Sequence, residues 1–170
     1  MLALLLAAAL TYLADQGRPS VWLLAAGAVL SGELLQVWAS AHLHKNVTMV
    51  VSGPYSLLRN PMYCGRFLVG LGFALVTWRW YLIAAYAAGF GLYAQARVLG
   101  EERRLRGLFG EPYAQYCRTV NRWLPRPPRE PLPDRRWSWE AVRRNRQLRV
   151  TAGVLAALFL LWCRAHWLSH

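Results

Sequence analysis

The chain has 170 residues, a length that calls for a single domain. It is 56% hydrophobic with a mean hydropathy of +0.19, yet its formal net charge is +12 and its pI about 10.6. That pairing argues against a soluble nucleic-acid binder and points to a membrane protein with a basic flank, with no nucleic-acid partner expected. Nine tryptophans and eight tyrosines fit, because amphipathic rings favour the zone between headgroups and acyl chains. Cys64, Cys117 and Cys163 are odd in number and scattered, which argues against a disulfide framework or a zinc site. His42 and His44 form an isolated HxH and read as interfacial residues at a helix end, so no metal is expected.

Apolar runs set the expected elements. Residues 1–13 are apolar and uncharged, and read as a short first helix; the core of a signal peptide is the alternative. Residues 15–20 form a turn with Gly17 and Pro19 as breakers. Residues 21–41 make a second span, interrupted by Glu33, an acid expected to serve an interior site or to lie near a helix end. A polar connector, 42–60, leads to Pro61, which suits the first turn of a helix running to about residue 77. Trp78, Arg79 and Trp80 read as an interfacial turn, and a fourth span follows over 81–99. A fifth, 150–162, is short for a bilayer that needs about 20 residues, so it starts earlier or tilts little. The expected fold is therefore all-α: a polytopic membrane protein of about five transmembrane helices. There is no internal repeat.

Residues 97–149 differ in character, holding fourteen of the twenty basic residues and six of the eight acids. By the positive-inside rule this segment is expected in the cytoplasm. Counting back through the spans puts the 42–60 connector in the same compartment. Arg135, Arg136, Arg143, Arg144, Arg146 and Arg149, with Trp137 and Trp139, read as an amphipathic surface helix.

Two polar stretches carry the candidate chemistry. The first is GPYSLLRNPMYCG, residues 53–65. Its Gly-Pro and Asn-Pro pairs stiffen the backbone, while Tyr55, Arg59, Asn60 and Tyr63 offer rings and hydrogen bonds. Gly65 permits close approach just inside the helix. Read by spacing alone, the stretch is a membrane-entry turn. In the second, Arg97 and Glu101 stand four apart and share a helix face, with Glu102 turned about 100° away. Leu105, Leu108 and Phe109 follow as an apolar stripe, Gly110 ends the helix, and Tyr113 and Tyr116 share a face of the next.

Together the stretches resemble the isoprenylcysteine carboxyl methyltransferase family, to which the phospholipid N-methyltransferases are related. The first is similar to that family's Gly-x-Tyr…Arg-His-Pro-x-Tyr-x-Gly motif. The second, with Glu101-Glu102, Leu105, Phe109-Gly110, Tyr113, Tyr116, Val120 and Leu124-Pro125, is similar to its C-terminal signature. The likeness covers residues 52–125, leaving 126–170 as a basic segment and a last span. It implies an integral membrane enzyme using S-adenosyl-L-methionine, with a cytoplasmic-side cofactor pocket and a lipid-like acceptor drawn from the bilayer. It also implies roles: Tyr55, Arg59, Asn60, Pro61, Tyr63, Gly65, Glu102, Tyr113 and Tyr116 at the cofactor, and Arg97 and Glu101 at the reaction. Asn60 stands where the family has histidine, so no neutral-pH base is expected there. That departure favours carboxyl O-methylation over N-methylation of an amine that must first lose a proton. An NADPH-dependent sterol-reductase-like enzyme and a non-enzymatic polybasic membrane protein are the rival readings.

Overall fold

The computed structural model describes residues 18–43, 49–127 and 137–167. Within them all helical structure falls into six α-helices and one 3₁₀ turn. They are α1 (Pro19–His42), the 3₁₀ turn Gly53–Ser56, α2 (Pro61–Leu75), α3 (Trp80–Phe109), α4 (Glu111–Thr119), α5 (Trp139–Arg144) and α6 (Gln147–Trp167). The expected first span at 1–13, His44, and Arg135 and Arg136 lie outside the described residues.

Helices α1, α3 and α6 are long and apolar enough to cross a membrane, whereas α2 is apolar but has 15 residues. Large side chains such as Leu34, Leu92 and Leu160 point outward along them, as lipid-facing residues do. Pro19 and Pro61 each occupy the first turn of a helix, where their missing N–H is no loss.

The closest pairing is α1 with α2, and small residues make it possible. A Cβ on Gly32 would lie 2.6 Å from the Gly65 carbonyl, and one on Gly72 would lie 2.7 Å from the Ala25 carbonyl. Lipid gives no hydrophobic drive between helices, so such backbone approach is what dispersion can use. At the far end Trp22 and Ala25 of α1 pack with Val76, Leu161 and Ala165.

Glu33 departs from both sequence expectations. It sits in the middle of α1 and is buried. Its carboxylate accepts hydrogen bonds from Gln36 (3.4 Å), Gln147 (3.3 Å) and Thr151. It thus fastens α6 to α1, the way a buried acid is normally satisfied in a span.

Two boundaries also move. The fourth span does not end near residue 99, because α3 continues without a break through the glutamate pair to Phe109. Its 30 residues make a rod of about 45 Å, longer than a hydrocarbon core of about 30 Å. The basic stretch 135–149 is not one surface helix: α5 stops at Arg144, and α6 begins at Gln147 after a corner.

Candidate active site

Four parts of the chain converge at one end of the bundle: the end of α1, the 49–60 segment with the start of α2, the last turns of α3, and α4. The 53–60 turn is sewn to the chain after α4. The Arg59 amide donates to the Asn121 carbonyl (2.8 Å), and the Arg126 amide donates to that of Leu57 (2.9 Å). Asn60 Nδ2 donates to the Arg122 carbonyl (3.3 Å), and the Tyr116 hydroxyl donates to the Tyr55 carbonyl (2.7 Å). The stiff polar stretch is thereby half of a docking seam, and its turn-forming prolines, both buried, fix the seam's register.

Between these walls lies a cavity of about 450 Å³. Tyr55, Arg59, Asn60, Pro61, Tyr63, Arg97, Glu101, Glu102, Tyr113 and Tyr116 all line it, together with Arg66, Arg104, Leu105 and Phe109. Gly65 does not belong to that lining. It is buried against α1, where a Cβ would meet Gln36 at 2.6 Å and the Gly32 carbonyl at 2.8 Å, so its smallness serves helix packing.

The two adjacent glutamates have different lives. Glu102 is buried and already engaged: Arg122 grips it with both arms, Nε to Oε1 at 3.0 Å and NH2 to Oε2 at 2.7 Å. Arg59 adds a contact to Oε1 at 3.3 Å. Such a bidentate fork is among the stronger polar contacts a protein makes, and its hydrogen bonds raise the Arg122 pKa. Glu102 therefore ties the 53–60 turn and the 121–126 segment to α3. Glu101, one residue earlier, is exposed and presents its carboxylate to the cavity.

The three tyrosines are donors, not bases. Burial pushes the Tyr55 hydroxyl pKa up, helped by the negative charge of Glu101. Burial does the same for Tyr116 and Tyr113, with their neighbouring ionisable groups adding to it.

A second cavity, about 540 Å³, adjoins the first along α2 and α3. Leu58, Phe67, Leu68, Phe90, Ala94 and Trp123 give it an apolar lining. Tyr63 lines both cavities.

Sequence reasoning missed Arg66, Arg104 and Arg122. Arg66 had a signal: it is a charge inside an apolar helix, three residues after Tyr63, and its guanidinium lies 5.4 Å from that ring's centre. Arg122 had none, because the chain after α4 is irregular and offers no periodicity to read.

Comparison with known proteins agrees with this architecture. A model of the phospholipid methyltransferase family matches residues 22–112, from α1 through the start of α4. The cobalt-zinc-cadmium resistance protein CzcN of Cupriavidus metallidurans is 36% identical over 93 residues, covering 54% of this chain and 43% of that protein. The nickel-cobalt-cadmium resistance protein NccN of Alcaligenes xylosoxydans xylosoxydans is 29% identical over a stretch of the same length and coverage. The matched region thus spans less than half of either relative. No solved structure matches.

Proposed function

Because the chain belongs to the phospholipid methyltransferase family, we propose that it transfers a methyl group from S-adenosyl-L-methionine to the headgroup of a membrane amphiphile, with the 450 Å³ cavity as the reaction chamber. The observation that carries this is the shared wall at Tyr63, which joins a polar chamber to an apolar groove. A headgroup and its acyl or prenyl chain need that sequence of surfaces.

The chamber fits the cofactor. Its volume falls in the range of roughly 300–1,000 Å³ that small-molecule sites occupy. Glu101 offers a carboxylate for an ammonium group, and the rings of Tyr55 and Tyr113 offer faces for an adenine. Arg59 Nε is buried without a hydrogen-bond partner among the described residues, a donor that a ligand carboxylate would satisfy. Bound there, the cofactor would supply a methyl group on a sulfonium, open to in-line attack by the acceptor with S-adenosylhomocysteine as the leaving group.

The protein's own work is then alignment. Glu102, Arg59 and Arg122 hold the chamber's walls in register. Glu102 is matched by Arg59 and Arg122, and Arg66 of α2 lines the cavity with Arg97 and Glu101 of α3, a lining that suits an anionic headgroup. Arg97 holds a carboxylate through its planar fork. A carboxylate is already a nucleophile at neutral pH, so no proton has to move. This supports carboxyl O-methylation of an isoprenylcysteine-like or other amphiphilic acid.

The family's description supports the second reading, N-methylation of a phosphatidylethanolamine-type lipid. There the arginines hold the phosphate, and Glu101 takes the ammonium proton. We carry the resistance named for the relatives to this chain only through such a modified lipid. We further propose about five spans, with the chamber facing the cytoplasm.

Transfer of labelled methyl to matched carboxylate and ethanolamine amphiphiles tests the reading. Gly91 lines the groove and a Cβ there meets nothing within 4 Å, so Gly91→Trp is the substitution chosen to obstruct the groove. It should raise KM for long-chain acceptors about tenfold while cofactor affinity holds, the loss of roughly two buried methylenes. An unchanged KM would remove the groove from acceptor binding.

A further inference from the structure

The corner between α5 and α6 is built with more care than a connection needs. Asn145 Nδ2 donates to the carbonyls of Ser40 (3.1 Å) and Leu43 (3.2 Å), and the Ser138 amide donates to that of Ala41 (3.3 Å). These bonds satisfy the last carbonyls of α1, which a helix end otherwise leaves open. Ala141 and Val142 are buried beneath α5, and Trp137 meets the His42 ring edge-on. The corner is thus rigidly fixed to the end of the bundle that holds the chamber.

Its outer face is cationic and apolar together. Arg143, Arg144, Arg146 and Arg149 are exposed, and so are Trp137 (42%), Trp139 (58%) and Leu148 (45%). Arg146 forms the corner itself. Its φ is +56°, the left-handed region that glycine occupies without strain. The chain places an arginine there and holds it with bonds on both sides, the Arg146 amide to Arg143 and the Arg149 amide to Arg146. A left-handed residue just past the cap is a common way for a helix to stop, and here it turns the chain from α5 into α6.

We propose that this corner is a binding plate for anionic phospholipid headgroups at the bilayer surface, separate from the reaction chamber. The choice of a lipid surface over a soluble polyanion rests on the mixture. Tryptophan and leucine interleaved with arginine suit the headgroup–acyl boundary, where rings sit in the interface and guanidinium groups reach phosphates. Each arginine near an anionic surface adds attraction that salt screens. The proposal does not depend on methyl transfer.

The test titrates the purified full chain, in neutral detergent, with dioctanoyl-phosphatidylglycerol and with dioctanoyl-phosphatidylcholine, read by microscale thermophoresis. The plate predicts a preference of at least about tenfold for phosphatidylglycerol, weakening as salt rises. The combined R143Q, R144Q and R149Q variant should lose it, while Arg97→Gln, in the chamber, keeps it. Arg146→Gly should reduce affinity about threefold with thermal stability unchanged or higher, which a purely structural arginine would not do. Inorganic phosphate should not compete. Equal binding of the two lipids, a preference that follows Arg97 instead of the plate, or displacement by free phosphate would each overturn the assignment.

Discussion

The two ends of the helical bundle are held by different physics. At one end Trp22, Ala25, Val76, Leu161 and Ala165 form an apolar cluster. At the other, Glu102 binds Arg59 and Arg122, Asn60 and Tyr116 reach across to distant carbonyls, and Asn145 caps α1. The packed end is apolar, and small residues beside it let α1 and α2 approach closely. At the stitched end, directional bonds between residues far apart in sequence shape the walls of the cavity. The candidate site lies where the bonds are directional, because a site needs fixed positions and packing alone tolerates shifts.

The largest effect should come from breaking the stitched end at its centre. Glu102→Gln leaves two arginines without their carboxylate and should destabilise the protein by about 3 kcal/mol, as loss of one partner of a buried pair does. Methyl transfer should fall with it. Thermal unfolding in detergent measures the first and a labelled-methyl assay the second; Arg122→Leu should reproduce both.

Glu101→Gln should separate site from scaffold. Its carboxylate is exposed, so unfolding should shift little, while transfer drops about 100-fold for the loss of a charge-assisted contact. Undiminished turnover in this variant would take Glu101 out of the chemistry.

The packed end should respond to size instead of charge. Gly72→Ala puts a methyl 2.7 Å from the Ala25 carbonyl and should cost about 1–3 kcal/mol of stability, with KM for the acceptor unaltered. If activity per folded molecule fell as well, the two ends would be coupled and the contrast between them lost.

A pH titration sharpens the comparison further. Tyr55, Tyr113 and Tyr116 all have pKa values raised above the usual 10.0. A raised folded value means the unfolded chain releases these protons first. Their contribution is therefore complete below pH 10 and declines as pH climbs from there through the folded values. Circular dichroism should show stability falling above about pH 10, and less steeply in Tyr116→Phe. The smallest change expected is Asn60→His: a histidine nitrogen can still donate to the Arg122 carbonyl, so cofactor affinity should stay within about threefold.

Much of this was legible in the sequence for reasons that can be named. Apolar length marks α1 and α6, and Pro61 and Gly110 mark helix boundaries, because these signals are local. The ten chamber residues were legible as two separate stretches, through turn chemistry, helical spacing and family resemblance. The neighbour that approaches Gly65 was not legible, because the sequence shows that a glycine allows approach but not by what. The division of labour between Glu101 and Glu102 was hidden as well. It depends on Arg122, which reaches Glu102 from an irregular segment twenty residues later. Arg146 was counted as one charge among many, since its left-handed backbone is set by the corner that Asn145 pins to α1.

The most direct test of the central claim is calorimetric titration of the purified protein in detergent with S-adenosylhomocysteine, alongside NADPH. The account predicts saturable binding of the homocysteine compound, lost in Glu101→Gln while that variant stays folded, and no binding of NADPH. Binding of NADPH alone, or of neither ligand by folded protein, would contradict it.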